Sequence, residues 1–164
     1  MRRDAKLSPL LHGGPQEVEK RAGTENVLGI ASTAFALQFH EQSLEQKQEK
    51  MARFRQKLKQ GILDMYPDAR INESADQLAQ TLNVSFLGLN GNLLLTNLDL
   101  EAVSASYGSA CASGSLEISH VLLNMGLNIE YARSAIRLSF GWATQEAEID
   151  ELLLRLKTVI DRMK

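Results

Sequence analysis

The apolar residues change their spacing near residue 70, and this change limits the possible folds more than any other feature of the sequence. Across 27–66 they recur at helical intervals, which predicts one very long helix or two in series. Further along, Leu82, Val84 and Phe86 alternate with other residues, which is typical of a half-buried strand. The chain therefore combines helices with a sheet.

The flanking segments complete this pattern. Thr24 is a candidate N-cap for the long helical region, and Thr144 for a final helix. The ranges 102–106 and 135–140 have the composition of short strands. Because helices and strands do not alternate regularly, we predict an α+β fold, in which a small antiparallel sheet carries helices on one face and follows a long bridging helix.

Three regions follow from this organisation. Residues 1–26 are expected to form a loop segment, and residues 27–66 the bridging helix or helices. Residues 67–164 are expected to form the small α+β domain. Within it, the glycine- and serine-rich range 106–115 is predicted to be a mobile loop.

Composition excludes several classes of function. The 164 residues are 44% hydrophobic and 23% charged, as in an ordinary globular protein, and the formal net charge of -2 gives no reason to expect nucleic-acid binding. Apolar runs are too short to cross a membrane, and no signal segment follows the N-terminus. The single cysteine cannot form an internal disulfide. We therefore expect a cytoplasmic protein that binds neither nucleic acid nor membrane.

The single cysteine, Cys111, lies in the loop between glycines and serines. Free cysteines are more often buried than reactive, so a packing role is the alternative to a working thiol. The flexible flanks favour the working thiol, because a thiol that serves two partners has to move between them.

Arg137 lies among apolar residues in the last predicted strand, where it shares a face with Ala135 and Ser139. An arginine in such a strand needs a partner. Either an internal ion pair or a clamp on a substrate carboxylate would provide one, and spacing alone leaves both open.

Two other patterns carry less information. Gly13-Gly14 and Gly23-Thr24 could form phosphate-binding turns at a helix start, although a plain loop and N-cap explain them as well. The three histidines have no ligand spacing with Cys111, so we expect no metal site.

Four segments in order resemble the NifS-like (group I) cysteine desulfurases of the class V aminotransferase family. They are Gly13-Gly14-Pro15-Gln16-Glu17 with Arg21-Ala22-Gly23-Thr24-Glu25-Asn26, Asn83-Val84-Ser85-Phe86, Gly108-Ser109-Ala110-Cys111-Ala112-Ser113-Gly114, and Ile136-Arg137-Leu138-Ser139-Phe140-Gly141. The resemblance covers nearly the whole chain. It implies the C-terminal small domain of a fold-type I enzyme that uses pyridoxal phosphate.

The resemblance also implies an activity and roles for three residues. Cys111 would take sulfur from L-cysteine as a persulfide, with release of alanine, and pass it to an acceptor protein in iron-sulfur cluster assembly or transfer-RNA thiolation. Arg137 would clamp the substrate carboxylate. Thr24 would reach the cofactor phosphate of the other subunit in a homodimer.

Two departures from the family qualify this expectation. Pro15, Val18 and Glu19 replace two glycines and an arginine of the family's first segment. The lysine that binds the cofactor belongs to a domain that precedes this region in the family, so the chain is expected to be a truncated form, inactive by itself. The alternatives are a non-catalytic fragment, a sulfur-carrier or interaction module, and a remnant without a role.

Overall fold

The computed structural model describes residues 8–108 and 118–164. The chain divides after Leu44 into two compact units, and the second unit begins at Glu45. The predicted region boundaries at 26 and 66 stay predictions.

The first unit contains a single turn, α1 (Gln16–Glu19), and a 15-residue helix, α2 (Val27–Glu41). The predicted cap is wrong: Asn26, not Thr24, caps α2. The Oδ1 atom of Asn26 accepts a hydrogen bond from the backbone N of Gly29 at 3.0 Å, which satisfies one of the free amides at the helix start.

The helical region consists of two helices, because α2 ends before α3 (Leu44–Met65) begins. Met51, Phe54, Leu58 and Ile62 form the buried stripe of α3. Their spacing of three and four residues places them on one side of the helix. This stripe belongs to the core of the second unit.

The sheet has four strands: β1 (Ala69–Ile71), β2 (Thr81–Phe86), β3 (Ser106–Tyr107) and β4 (Ala135–Ser139). They are ordered β1-β2-β4-β3, and every neighbouring pair is antiparallel. The strand predicted for 102–106 is placed wrongly and covers only Ser106–Tyr107. Ala102 has a φ of 56°, and the backbone N of Val103 donates to the carbonyl of Leu98, so this stretch turns out of a helix.

The described part of the second unit contains four further helices: α4 (Gly91–Leu100), α5 (His120–Asn124), α6 (Ile129–Arg133) and α7 (Glu146–Met163). Gln145 and Glu148 form a capping box at the start of α7, so the cap predicted at Thr144 is wrong. The Thr144 hydroxyl instead accepts a hydrogen bond from the backbone N of Gly141 at 3.1 Å in the preceding turn.

The two faces of the sheet differ in polarity. Side chains that alternate along β2 and β4 lie in the core with α3, α4 and α7; they are Leu82, Val84, Phe86, Ile136 and Leu138. On the opposite face, Ala135 packs in a smaller cluster with Leu122, Leu127 and Ala132 of the α5–α6 segment. The rest of that face is polar. The fold is the predicted α+β arrangement of a small antiparallel sheet with helices.

Candidate functional site

Arg137 lies on the polar face of the sheet between two polar strand neighbours. On β4 it is the register partner of Asn83 in β2 and of Ser106 in β3. Its own neighbours Ile136 and Leu138 point into the core, so Arg137 is exposed although the strand around it is apolar. The predicted face shared with Ala135 and Ser139 agrees with this register.

No carboxylate forms an ion pair with Arg137 within 8–108 and 118–164. The internal ion pair that the sequence left open is therefore not formed in this part of the chain. Among the described residues, no acceptor takes a hydrogen bond from the guanidinium of Arg137 either, so its donors can serve another group.

A hydrogen-bonded pair of asparagines lies next to Arg137. The Nδ2 atom of Asn72 donates to Oδ1 of Asn83 at 2.7 Å and to Oγ of Ser85 at 2.8 Å. Oδ1 of Asn72 is buried and finds no hydrogen-bond partner in residues 8–108 and 118–164. The sequence pattern places Asn83 between core residues, but only the strand register shows that it faces Arg137, so local sequence carries no signal for this pair.

Arg137, Asn83 and Asn72 line one cavity of about 400 Å³. The cavity also contains Glu73, which accepts hydrogen bonds from Lys59 at 2.7 Å and from Arg55 at 2.9 Å. These hydrogen bonds lower the pKa of Glu73 from 4.5 to about 2, and the bond from Lys59 has the largest effect. Glu73 is thus a carboxylate already paired with two cations, and the cavity presents Arg137 as a cation free to bind an anion.

Thr24 belongs to the first unit, where it follows Gly23, a residue with a φ of 98°. Its carbonyl accepts a hydrogen bond from Arg21 at 3.4 Å, and Thr24 itself is exposed. The backbone N of Gly23 donates to Oε1 of Gln16 at 3.2 Å, so α1 supports this turn. The contact of Thr24 with a cofactor phosphate stays a prediction.

Cys111 lies outside the described residues, as does most of the loop predicted for 106–115. The last strand before it is β3, and Ser106 of that strand pairs with Arg137. Cys111 follows Ser106 by five positions in the sequence. The sheet thus places Ser106, the first residue of the range 106–115 that contains Cys111, next to Arg137. We call this range the cysteine segment.

Three lysines of the second unit do not fit a covalent pyridoxal phosphate site, because each is paired with a carboxylate. Lys57 pairs with Asp150 at 2.7 Å and with Glu146, and these contacts raise its pKa above 10.5, with the hydrogen bond to Asp150 contributing most. Lys59 pairs with Glu73, and Lys157 with Asp161. A Schiff base requires a neutral amine, which pairing with carboxylates opposes.

No group of three or more His, Cys, Asp or Glu side chains that could hold a metal ion occurs in the part of the chain that the structure describes. No helix there combines the length and the apolarity needed to cross a bilayer.

Known proteins resemble this chain along nearly its whole length. Residues 9–152 match the family Aminotransferase class-V. The "Cysteine desulfurase IscS" of Clostridium botulinum is 39% identical over 162 residues, which are 97% of this chain and 41% of that protein. This chain thus spans about two fifths of the length of such relatives.

Solved structures give the same result. A NifS-like protein superposes on 99% of this chain with a TM-score of 0.80 and 30% identity, and the match covers 41% of that structure. The NifS-like protein of Rickettsia africae superposes on 96% with a TM-score of 0.75 and 28% identity, again over 41% of its length.

Proposed function

Because this chain belongs to the aminotransferase class-V family, we propose that it corresponds to the C-terminal part of a cysteine desulfurase. In this proposal it binds the carboxylate of L-cysteine at Arg137 and accepts the substrate sulfur on Cys111. The pairing of Ser106 with Arg137 carries the proposal, because it joins the cysteine segment to the strand next to an unpaired cation.

Arg137 supplies the recognition of substrate. A guanidinium binds a carboxylate through two parallel hydrogen bonds, which fixes both the position and the orientation of an amino acid. The exposure of Arg137 and its freedom from carboxylates in the cavity support this role.

Cys111 supplies the sulfur acceptor. Its thiolate attacks the sulfur of L-cysteine, so that an S–S bond forms while the substrate C–S bond breaks. The electron pair of the broken C–S bond stays on the substrate carbon. This carbon takes up a proton, and the amino acid that results is released as alanine. The persulfide is then passed to an acceptor protein.

Pyridoxal phosphate supplies the stabilisation of negative charge on the substrate carbon in this chemistry. We propose that residues outside this chain hold it covalently, because the family's cofactor lysine belongs to a domain that precedes this region, and because Lys57, Lys59 and Lys157 are paired with carboxylates. Thr24 is proposed to contribute a hydroxyl to its phosphate.

The surface of α2 supports the need for a partner chain. None of its residues is buried, although most are apolar, and Leu28 and Phe35 are 79% and 71% exposed. A helix that is apolar on all sides is normally covered. We propose that a second subunit or a chain bearing the cofactor covers α2.

A second candidate function is a sulfur carrier that does no chemistry on L-cysteine. The engaged lysines favour it for the chain by itself. In that case Cys111 would receive a persulfide from another protein, and Arg137 would have no effect on the transfer.

Reconstitution distinguishes the two functions. The chain is mixed with L-cysteine, pyridoxal phosphate and the N-terminal part of a NifS-like relative, which keeps the cofactor lysine but lacks the segment that this chain matches. We expect alanine release that requires Cys111 and Arg137 of this chain. Alanine release that is the same without this chain would contradict the desulfurase proposal.

A further inference from the structure

The polar face beside Arg137 contains a second group of defined orientation, the side-chain amide of Asn83. Asn83 and Arg137 are register partners on adjacent antiparallel strands, so their Cβ atoms lie about 5 Å apart on the same face. Both line the same cavity. A ligand bound to Arg137 would therefore lie next to Asn83.

The orientation of the Asn83 amide follows from its neighbour Asn72. Nδ2 of Asn72 donates to Oδ1 of Asn83 at 2.7 Å, so this end of the Asn83 amide is the acceptor. The other end is Nδ2, and no acceptor takes a hydrogen bond from it among the described residues. Asn83 thus presents an NH₂ group to the cavity.

Asn72 is held in place in turn. Its Nδ2 also donates to Oγ of Ser85 at 2.8 Å, and its backbone N donates to the carbonyl of Asn83 at 2.9 Å. Oδ1 of Asn72 is buried without a partner among the described residues. The three bonds that Asn72 does make, to Asn83 and Ser85, fix the amide of Asn72 and thereby that of Asn83.

We infer that Asn83 is a second carboxylate-binding residue beside Arg137, and that Asn72 is a positioning residue that fixes the Asn83 amide. The inference rests on the proposed function in one respect: the carboxylate is taken to be that of the amino-acid substrate. A carboxylate has two oxygens with free lone pairs, so it can accept from the Arg137 fork and from Asn83 Nδ2 at once.

This arrangement selects for carboxylates over other groups of similar size. The guanidinium and the amide NH₂ are both donors, so a neutral amide ligand would bring its own NH₂ group against one of them. Glu73 is already paired with Lys59 and Arg55 and does not occupy Arg137. The cavity should therefore bind acetate and reject acetamide.

The test uses the 164-residue chain labelled with ¹⁵N and needs neither cofactor nor turnover. Sodium acetate is titrated against sodium chloride at equal ionic strength, and the side-chain signals of Asn83 and Arg137 are followed by NMR. We expect both to shift together and saturate, with a Kd of about 10–100 mM, as suits a small exposed anion site. Equal shifts with acetamide, or a response of Arg137 without Asn83, would overturn the inference.

Variants separate the roles of the two asparagines. Asn83→Ala should weaken acetate binding roughly 3- to 10-fold, since it removes one of the donors. Asn72→Asp cannot donate to Asn83 Oδ1, so the Asn83 amide should invert and acetate should no longer shift its NH₂ signals.

Ser74→Asp is the matched control for Asn72→Asp. Ser74 lines the same cavity, and its replacement adds the same negative charge without touching Asn83. We expect weaker binding in this variant, with the Asn83 signals still responding. If Ser74→Asp removes the Asn83 response as fully as Asn72→Asp does, charge alone explains the effect and the positioning role is wrong.

The acetate titration and the test of the proposed function can fail independently of each other. Acetate binding is measured without Cys111 chemistry, whereas sulfur transfer is measured on Cys111 itself. Failure to bind acetate with successful sulfur transfer would remove Asn83 and Asn72 from the site and leave the desulfurase proposal standing.

Discussion

Asn83 and Arg137 face each other across β2 and β4, one carrying an amide that Asn72 orients and the other a guanidinium without a carboxylate partner in the cavity. Both side chains present hydrogen-bond donors to the same cavity. This pairing links the strand register to the proposed recognition of substrate, because shifting either strand by one residue would turn one of the two side chains into the core.

Replacement of Arg137 tests the proposed carboxylate clamp. In the reconstituted enzyme we expect Arg137→Ala to raise KM for L-cysteine strongly, because loss of one partner of a charge pair costs about 2–5 kcal/mol. Arg137→Lys keeps the charge but not the fork and should recover only part of the loss. Steady-state kinetics measure both, and an unchanged KM in the alanine variant would rule out the clamp.

The sequence predicted the fold class because its apolar periods are regular. The alternation of Leu82, Val84 and Phe86 corresponds to a strand whose three side chains are fully buried. Helix starts were less predictable: Thr24 and Thr144 are good capping residues, yet Asn26 and Gln145 cap the helices. When two candidate capping residues lie one or two positions apart, the local backbone conformation decides which of them caps the helix. Residue propensity does not determine that conformation.

The site was predictable in part. Arg137 was recognised because a charged residue stands out in an apolar strand. Asn83 was not, since a polar residue at an alternate strand position is ordinary on the solvent side of a sheet. Its meaning depends on the β2–β4 register, which joins residues more than fifty positions apart and cannot be deduced from local pattern.

The low pKa of Glu73 predicts a pH-dependent contribution to stability. The pKa of Glu73 is about 2 in the folded state, against an ordinary value of 4.5 that we take for the unfolded chain. The ionised carboxylate therefore stabilises the fold at pH values above 4.5, and this contribution is lost as the pH falls from about 4.5 towards 2. Glu73 is partly exposed, so we expect Glu73→Gln to cost about 1–2 kcal/mol at pH 7 after solvent screening.

Urea denaturation of Glu73→Gln at several pH values measures this effect. Asp161→Asn is the control, because Asp161 pairs with Lys157 on the exposed surface and should contribute at most about 0.5 kcal/mol. A cost for Glu73→Gln that is equal at pH 2 and pH 7 would contradict the ion-pair explanation.

Gly91 should not tolerate a side chain. A Cβ built there would lie 2.7 Å from the carbonyl oxygen of Arg133 and 2.7 Å from the ring of Tyr107. We expect Gly91→Ala to destabilise the second unit by about 1–3 kcal/mol, since the carbonyl oxygen cannot move aside freely. Thermal denaturation checks this.

Gly141→Ala is the matched control, because a Cβ on Gly141 would meet nothing within 4 Å. Its stability should change by no more than about 0.5 kcal/mol. Equal effects of the two substitutions would mean that packing around Gly91 is not as close as the structure has it.

The exposed apolar surface of α2 predicts self-association or pairing. We expect the chain to sediment as a dimer, or as a complex when mixed with a cofactor-bearing relative, because Leu28 and Phe35 are otherwise left in water. Leu28→Glu and Phe35→Glu together should shift the chain to monomer. A wild-type chain that stays monomeric at all concentrations, with or without the relative, would exclude α2 as an interface.

The transfer of sulfur to Cys111 is tested most directly by mass spectrometry of the intact chain after turnover with L-cysteine and the cofactor-bearing N-terminal part of the relative. We expect one additional sulfur atom on Cys111, removable by a reducing agent and absent from Cys111→Ser. An unmodified Cys111 while alanine is being produced would contradict the central claim.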